Sequence, residues 1–353
     1  MITLLIPTMN RFSFIKKYLI YLNKYGFNGQ VLIGDSSDES DFDATSNYIE
    51  SNVFSFEVTQ YLFPDMYPHQ CIKKMLKDIK FPYSMFICDD DILVVSTLKK
   101  CIKFLENNPS YSGVGGVSVL VNLDPDNYNN IVSSSVYRVR EMVCQTASER
   151  VIDLFSNYSV IAYSLARTEE FKCRWPDDVN GKNYDKAIGT EILPCAILAA
   201  QGKVKMIDEL FVVRQMHEDR ILLPKFVDAV LHPQWVTTMH FAVDKLSGVV
   251  SSIDEISYNK AYITVNNAWK EYLVNAVRSG YCPRDSSVLR QKLIKVKLLF
   301  FGSKIYSKFH KFYQLIILLT NKKSLRLPAL LKSSSPYYAD FKEIYDVIEE
   351  PDR

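Results

Sequence analysis

The chain has 353 residues, 48% of them hydrophobic, with 22 Tyr and 20 Phe, enough for one large domain plus a smaller one around a sizeable core. The formal net charge of +2 excludes little, but residues 286–339 hold eleven Lys and Arg and no acid, leaving 31 basic against 40 acidic residues elsewhere. Seven cysteines with no C-x-x-C pair argue against a disulfide framework or a structural zinc site and fit a reducing cytoplasm. Residues 1–7 lack the length and basic start of a signal peptide, and no apolar stretch reaches the roughly 18 residues of a membrane span.

Residues 2–6 form a β-branched apolar run, a buried strand that ends at Pro7-Thr8-Met9-Asn10-Arg11. Phe14, Ile15, Tyr18, Leu19 and Leu22 then fall at helical spacing, and Gly26 ends that helix. A second strand, 31–34, runs into Asp35-Ser36-Ser37-Asp38. The spacing predicts a helix over 41–51, a strand over 54–62 and a helix over 68–79. A strand over 83–88 follows, and then a helix over 98–106. This alternation implies an α/β fold with an open, mainly parallel sheet flanked by helices. Beyond residue 110 the pattern predicts strands at 113–123 and 135–145, a helix at 146–155 and a strand at 160–166. A polar stretch at 174–185 leads to an apolar helix at 188–201, which carries Glu191 and ends at Gly202, then a strand at 204–213. From about residue 225 the chain reads as helical, with breaks at 248–252 and 279–287.

The most unusual stretch is Cys88-Asp89-Asp90-Asp91, because three consecutive carboxylates directly follow an apolar strand. Desolvated carboxylates without a partner cost several kcal/mol each, roughly. Alternation along an extended chain places Asp89 and Asp91 on one side and Asp90 on the other. That pattern suits a hard divalent cation sharing a phosphate, and the competing reading is a solvated turn. Thr8, Asn10, Asp35 and the triplet all lie at carboxyl ends of strands, where open α/β sheets bind ligands. Other residues carry two readings each. His217 is a metal or diphosphate ligand, or structural. Arg214 is a phosphate partner, or a surface ion pair. Lys73 is a donor contact, or a solvated helix face. Trp175 is a platform for an acceptor sugar, or core.

Ile6-Pro7-Thr8-Met9-Asn10-Arg11, Asp35-Ser36-Ser37-Asp38, Cys88-Asp89-Asp90-Asp91 and the helix opening at Glu191, in this order, resemble family-2-like glycosyltransferases of the GT-A fold. The resemblance covers roughly residues 1–220. It implies a catalytic domain there, with a nucleotide-binding half (1–110) and an acceptor half (111–220); the helical C-terminal region (221–353) is read from the sequence pattern and falls outside the resemblance. It further implies that Pro7, Thr8 and Arg11 line the nucleotide pocket, with Asp35 near the base. Asp89 faces ribose or metal, alongside Asp90, and Asp91 binds Mn2+ or Mg2+ at the diphosphate. Glu191 is the implied base, with Asp185 and Asp178 as competitors. Two departures stand out. The acidic pair of the family appears as Thr190-Glu191-Ile192, and the processive Gln-x-x-Arg-Trp motif is absent.

Within 286–335, apolar residues at helical spacing interleave with Lys292, Lys295, Lys304, Lys308 and Lys311. Such a segment lies on an anionic membrane surface or packs on the catalytic domain. No nucleic-acid module accompanies it. The resulting expectation is an inverting, metal-dependent transferase, cytoplasmic and peripheral on the inner face of the cell membrane. It moves a sugar from a nucleotide-sugar donor to a glycan or lipid-linked saccharide acceptor in bacterial surface polysaccharide synthesis. The alternatives are a non-catalytic nucleotide- or glycan-binding scaffold and a sugar-1-phosphate nucleotidyltransferase. The latter lacks its glycine-rich loop, since residues 7–12 contain no glycine.

Overall fold

The computed structural model describes residues 1–175, 186–220, 226–281 and 324–350. Strands β1 (Ile2–Thr8), β2 (Gly29–Asp35), β3 (Glu57–Leu62) and β4 (Tyr83–Phe86) alternate with helices α1 (Phe12–Lys24), α2 (Glu39–Ser51) and α3 (Pro68–Met75). With the two-residue strand β8 (Ala166–Arg167) they form a five-stranded sheet in the order β3-β2-β1-β4-β8. All its pairings are parallel except β4 with β8. The local reasons are the expected ones. Strands β1 and β2 are buried along their whole length. Helix α1 buries Ile15, Tyr18, Leu19 and Leu22, and Gly26 follows it with φ +71°, the left-handed conformation that glycine adopts without penalty.

The sequence pattern implies one sheet, and the structure has two. The chain leaves the first at Phe86, turns through the carboxylate triplet and enters the second at β5 (Asp91–Leu93). The second sheet adds β6 (Tyr111–Asp124), β7 (Asn127–Tyr137) and β9 (Lys203–Met216) in the order β5-β9-β6-β7. Between β5 and β6 runs α4 (Val95–Asn107). The strand expected at 135–145 lies earlier, as β7, because the turn after Asp124 returns the chain at once. Its polar Asn-Tyr-Asn-Asn start hides it, being a half-exposed edge. The strand expected at 160–166 shrinks to β8 and an isolated bridge between Val114 and Leu165.

Helix α5 (Ala147–Ser156) opens with a reciprocal capping box between Thr146 and Glu149. Helix α7 (Leu193–Gln201) is buried from Leu193 to Ala200, and its alanines let neighbours approach on all sides. The short helices α6 (Thr168–Lys172) and α8 (Phe226–Leu231) precede and follow it in the chain, and helices α9 (Pro233–Asp254) and α10 (Tyr258–Tyr281) pack against α5 and α7. The break expected at 248–252 does not occur. Helix α9 runs through Gly248 and ends at Glu255, which adopts φ 52°. The terminal helix Tyr338–Glu349 packs on β7 and α1, and Leu325 and Leu330 are buried in the same core. The described end of the basic segment therefore packs on the same core as the two sheets, while residues 286–323 lie outside the described residues. Residues beyond 220 share both buried cores with the front of the chain, so residue 220 does not divide the cores. Among the described residues no helix is long and apolar enough to cross a membrane.

The carbonyls at the end of α7 are buried, and Arg150 closes them. Its Nε donates to Ala199 O at 2.6 Å and its Nη2 to Ala200 O at 2.9 Å, while Nη1 reaches the carbonyls of Cys144 and Gln145. A cation at a helix C-terminus satisfies the orphan carbonyls and complements the dipole. Arg150→Met is expected to lower unfolding stability by about 3 kcal/mol, measured by urea denaturation. A loss under about 1 kcal/mol would refute this capping role.

Candidate active site

The carboxyl ends of β1, β2 and β4 are adjacent by register, since Thr8 pairs with Asp35 and Leu5 with Phe86. Asn10, at φ 53°, staples the first two loops together. Its N–H donates to Ser37 Oγ at 2.7 Å, and its Oδ1 accepts from Asp38 N at 2.9 Å. Beside these ends opens a cleft of about 410 Å3, within the size range of small-molecule sites. Pro7, Thr8, Arg11, the triplet, Glu191 and Arg214 all line it.

The triplet is a turn, and this corrects the expected alternation. Asp91 N donates to Cys88 O at 3.2 Å, so Asp89 and Asp90 point to a common partner. Arg11 Nη1 donates to Asp89 Oδ1 and to Asp90 Oδ2, both at 2.9 Å. Thr8 Oγ1 donates to the other Asp89 oxygen at 2.7 Å. Asp91 stands apart, directly across from Arg214 in the β5–β9 register. Its Oδ2 accepts from Arg214 Nε at 3.0 Å and Tyr163 OH at 2.6 Å, and its Oδ1 from Gln215 N at 3.2 Å. The Arg214 guanidinium lies 4.6 Å from the Tyr137 ring centroid and 5.4 Å from that of Tyr163.

These surroundings raise two of the acids and lower the third. Burial, reinforced by the charge of Asp90, pushes Asp89 up to about 6 against the pull of Arg11 and Thr8. Burial also pushes Asp91 up to about 6, opposed by Arg214. For Asp90 burial acts upward too, but the His217 hydrogen bond and the Arg11 charge outweigh it and hold it low.

Cys88, Asp90 and Asp91 each offer a donor atom within 4.8 Å of the others, a spacing that one cation can bridge. The donor chemistry fits. Asp90 Oδ1 accepts no hydrogen bond among the described residues, whereas both oxygens of Asp89 are taken by protein donors. By spacing the candidate metal group is Asp90 and Asp91 with Cys88, and Asp89 is outside it. His217 is outside it as well. Its Nε2 faces Asp90 Oδ2 at 3.2 Å and its ring stacks on Phe14 at 4.6 Å, so it braces Asp90 from behind.

Glu191 sits on a π-helical turn, Ile188–Ile192, where a plain α-helix was expected. Pro194 explains the irregularity, because it lacks the N–H that an α-helix would send back to Thr190. Leu193 N–H donates to Ile188 O instead, the wider π spacing that recurs at functional sites. Glu191 Oε1 accepts from Tyr158 OH at 3.1 Å. Burial raises its pKa, opposed by Tyr158 and Arg214. Asp185 and Asp178 lie outside the described residues.

Three expected contacts are absent from the cleft. Asp35 is fully buried beneath it, its oxygens accepting from Ser37 N at 2.9 Å and Gln60 Nε2 at 2.8 Å. Lys73 reaches the Trp175 carbonyl at 3.2 Å. Trp175 is 2% exposed and packs edge-on against Phe86 at 5.3 Å, so its ring belongs to the core and offers no face to an acceptor. The cleft also holds residues that sequence reasoning passed over, namely Tyr163, Lys186, Gln215 and Arg220. Tyr163 was concealed inside an apolar run. Gln215 and Arg220 flank the recognised Arg214 and His217, which was the available signal.

No family model matches the chain, and no curated protein does. Among solved structures it is similar to S. aureus TarS 1–349 in complex with UDP-GlcNAc, at 15% identity and a TM-score of 0.49, covering 81% of this chain and 75% of that one. It is also similar to the mannosyltransferase PcManGT from Pyrobaculum calidifontis in complex with GDP-Man and Mn2+. That match has 11% identity and a TM-score of 0.41, covering 84% of this chain and 80% of the other. In a further structure of S. aureus TarS, with a TM-score of 0.48 and 14% identity, 81% of this chain matches and spans 45% of that chain's length.

Removing Arg11 leaves two buried carboxylates facing each other. Arg11→Leu is expected to cost about 3–5 kcal/mol of unfolding stability, and adding Asp89→Asn is expected to recover part of that loss. Additive losses in the double-mutant cycle would show that the two groups do not interact.

Proposed function

We propose that the chain is a GT-A-type glycosyltransferase acting on a nucleotide-sugar donor. The observation that carries this reading is the cleft at the carboxyl ends of parallel strands, where Asp90, Asp91 and Cys88 offer a cation site and Glu191 lines the same cavity. Asp90 and Asp91 would hold a divalent ion, with Cys88 beside them, and such an ion supplies Lewis-acid stabilisation of a departing diphosphate.

The chain's own residues do the rest. Glu191 takes the proton of the acceptor hydroxyl as the hydroxyl oxygen bonds to the anomeric carbon. The bond from that carbon to the diphosphate breaks, and its electron pair leaves with the diphosphate. A raised pKa makes Glu191 a stronger base, and Tyr158 fixes where its carboxylate points. Attack opposite the leaving group with a single base inverts the anomeric centre. Arg11 and Thr8 hold the triplet in place, and Arg214 orients Asp91. The acceptor in this reading is a glycan, carried on a lipid if residues 286–323, with nine Lys and Arg and no acid, attach to an anionic membrane surface.

With Mn2+, the purified protein is expected to turn over at least one member of a nucleotide-sugar panel, by transfer or slow hydrolysis. Asp91→Asn and Glu191→Gln are each expected to lower turnover by about 100-fold or more while thermal unfolding shows them folded. A wild type that binds nucleotide but never turns over a donor would favour the scaffold alternative.

The Tyr158 hydroxyl favours the charged form of Glu191. Tyr158→Phe removes that donor, so the Glu191 pKa rises further. The acidic limb of the kcat/KM profile, where activity is lost as the base protonates, is expected to move to higher pH. An unmoved limb would detach Glu191 from the base role.

A further inference from the structure

Four cations line the cleft, namely Arg11, Lys186, Arg214 and Arg220, and they divide into two kinds. Arg11 is 8% exposed and committed to Asp89 and Asp90, with Nη2 also donating to the Asp219 carbonyl. Arg214 is committed to Asp91 and to two tyrosine rings. These two neutralise the triplet and have little left to offer a ligand.

Lys186 and Arg220 differ. Neither has a carboxylate within ion-pair distance among the described residues. The Lys186 ammonium lies 5.9 Å from the Tyr67 ring centroid. Burial, helped by the charge of Arg11, lowers its pKa. Arg220 donates from Nε to the His217 carbonyl at 3.3 Å and from Nη1 to the weak acceptor Met216 Sδ at 3.0 Å. Both side chains are half-buried. Partly desolvated cations with no carboxylate partner among the described residues favour a ligand that brings anions.

We propose that Lys186 and Arg220 are the diphosphate-binding pair of this cleft, selecting nucleoside diphosphates over monophosphates. The proposal rests on the glycosyl-transfer reading and specifies which side chains hold its leaving group. The arginine fork suits two phosphate oxygens at once, and the lysine acts as a point charge. Charge on the leaving diphosphate grows as the glycosidic bond breaks, so both contacts strengthen along the reaction.

The test is calorimetric titration of the full chain, with Mn2+, against UDP, UMP, GDP and GMP. The variants are Lys186→Gln, Arg220→Gln and the double variant, with thermal unfolding measured alongside. The wild type is expected to prefer one diphosphate over its monophosphate. Each single variant is expected to weaken diphosphate binding about tenfold or more, and the double variant to lose the preference. Its salt dependence is expected to flatten, since fewer charges meet the ligand. Diphosphate affinities unchanged in both variants would overturn the assignment and leave the function standing. Mono- and diphosphate affinities falling together would also overturn it, because the two residues would then be shaping the pocket as a whole. A wild type that binds none of the four nucleotides would overturn the functional reading, and this pair with it.

Discussion

The site turns on two guanidiniums, those of Arg11 and Arg214. The chain crosses from one sheet to the other between Phe86 and Asp91, and the crossing is made of carboxylates. Asp89, Asp90 and Asp91 are 4%, 7% and 1% exposed, a density of negative charge that a water-poor interior does not tolerate alone. Arg11, placed by the turn after β1, bridges the first two through a single nitrogen, and Arg214, placed by β9, meets the third. The Arg214 pair therefore lies within the second sheet, and Arg11 ties the first sheet to the turn that leads into the second. A buried pair of this kind adds little net stability compared with apolar packing, but removing one partner is strongly destabilising. The geometry is thereby fixed without the core having to specify it.

That commitment decides what the remaining groups are available for. Cations that neutralise the triplet are not available to a ligand, which leaves Lys186 and Arg220 facing the cleft. Donors that fill Asp89 leave it as a link between β1 and the turn, with the open oxygen on Asp90. On the opposite wall Pro194 breaks the α pattern of the helix bearing Glu191, and the resulting π turn presents the carboxylate beside Tyr158. A covalent constraint in one case and charge pairing in the other produce the same outcome, which is a polar group held in place before any ligand arrives. Such preorganisation is the main source of electrostatic catalysis.

Much of this was legible in the chain. Runs such as Ile2–Thr8 and Gly29–Asp35 are continuously buried because both faces of their sheet are covered, and their polar ends mark where the cleft opens. The triplet announced itself by electrostatics. What could not be read was the chain's direction after Phe86. Alternation assumes that a strand continues, and here it turns, so Asp89 pairs with Asp90 instead of Asp91. Asp35 and Lys73 were misplaced for a related reason. Each sits at the right point in sequence, but Asp35 is drawn under its own loop by Gln60 and Ser37, and Lys73 is turned to the Trp175 carbonyl. Local pattern shows which residues stand near a strand end. Only tertiary packing shows which of their atoms are already engaged.

The acids of the triplet illustrate that distinction most sharply. By spacing, Asp89 and Asp91 look equivalent and Asp90 looks like a spacer. By hydrogen bonding the order changes. Asp89 has both oxygens satisfied from within the protein, and Asp91 accepts three donors. Asp90 has one oxygen shared by Arg11 and His217 and the other unclaimed among the described residues. A cation held beside Cys88 would find its most available oxygen on Asp90 and a second on Asp91. His217, by holding the far oxygen of Asp90, sets the direction in which the free one points, much as outer partners orient metal ligands elsewhere. The middle residue of the triplet is thus its most available ligand, and Phe14, stacked on His217, connects that availability to the first helix of the fold.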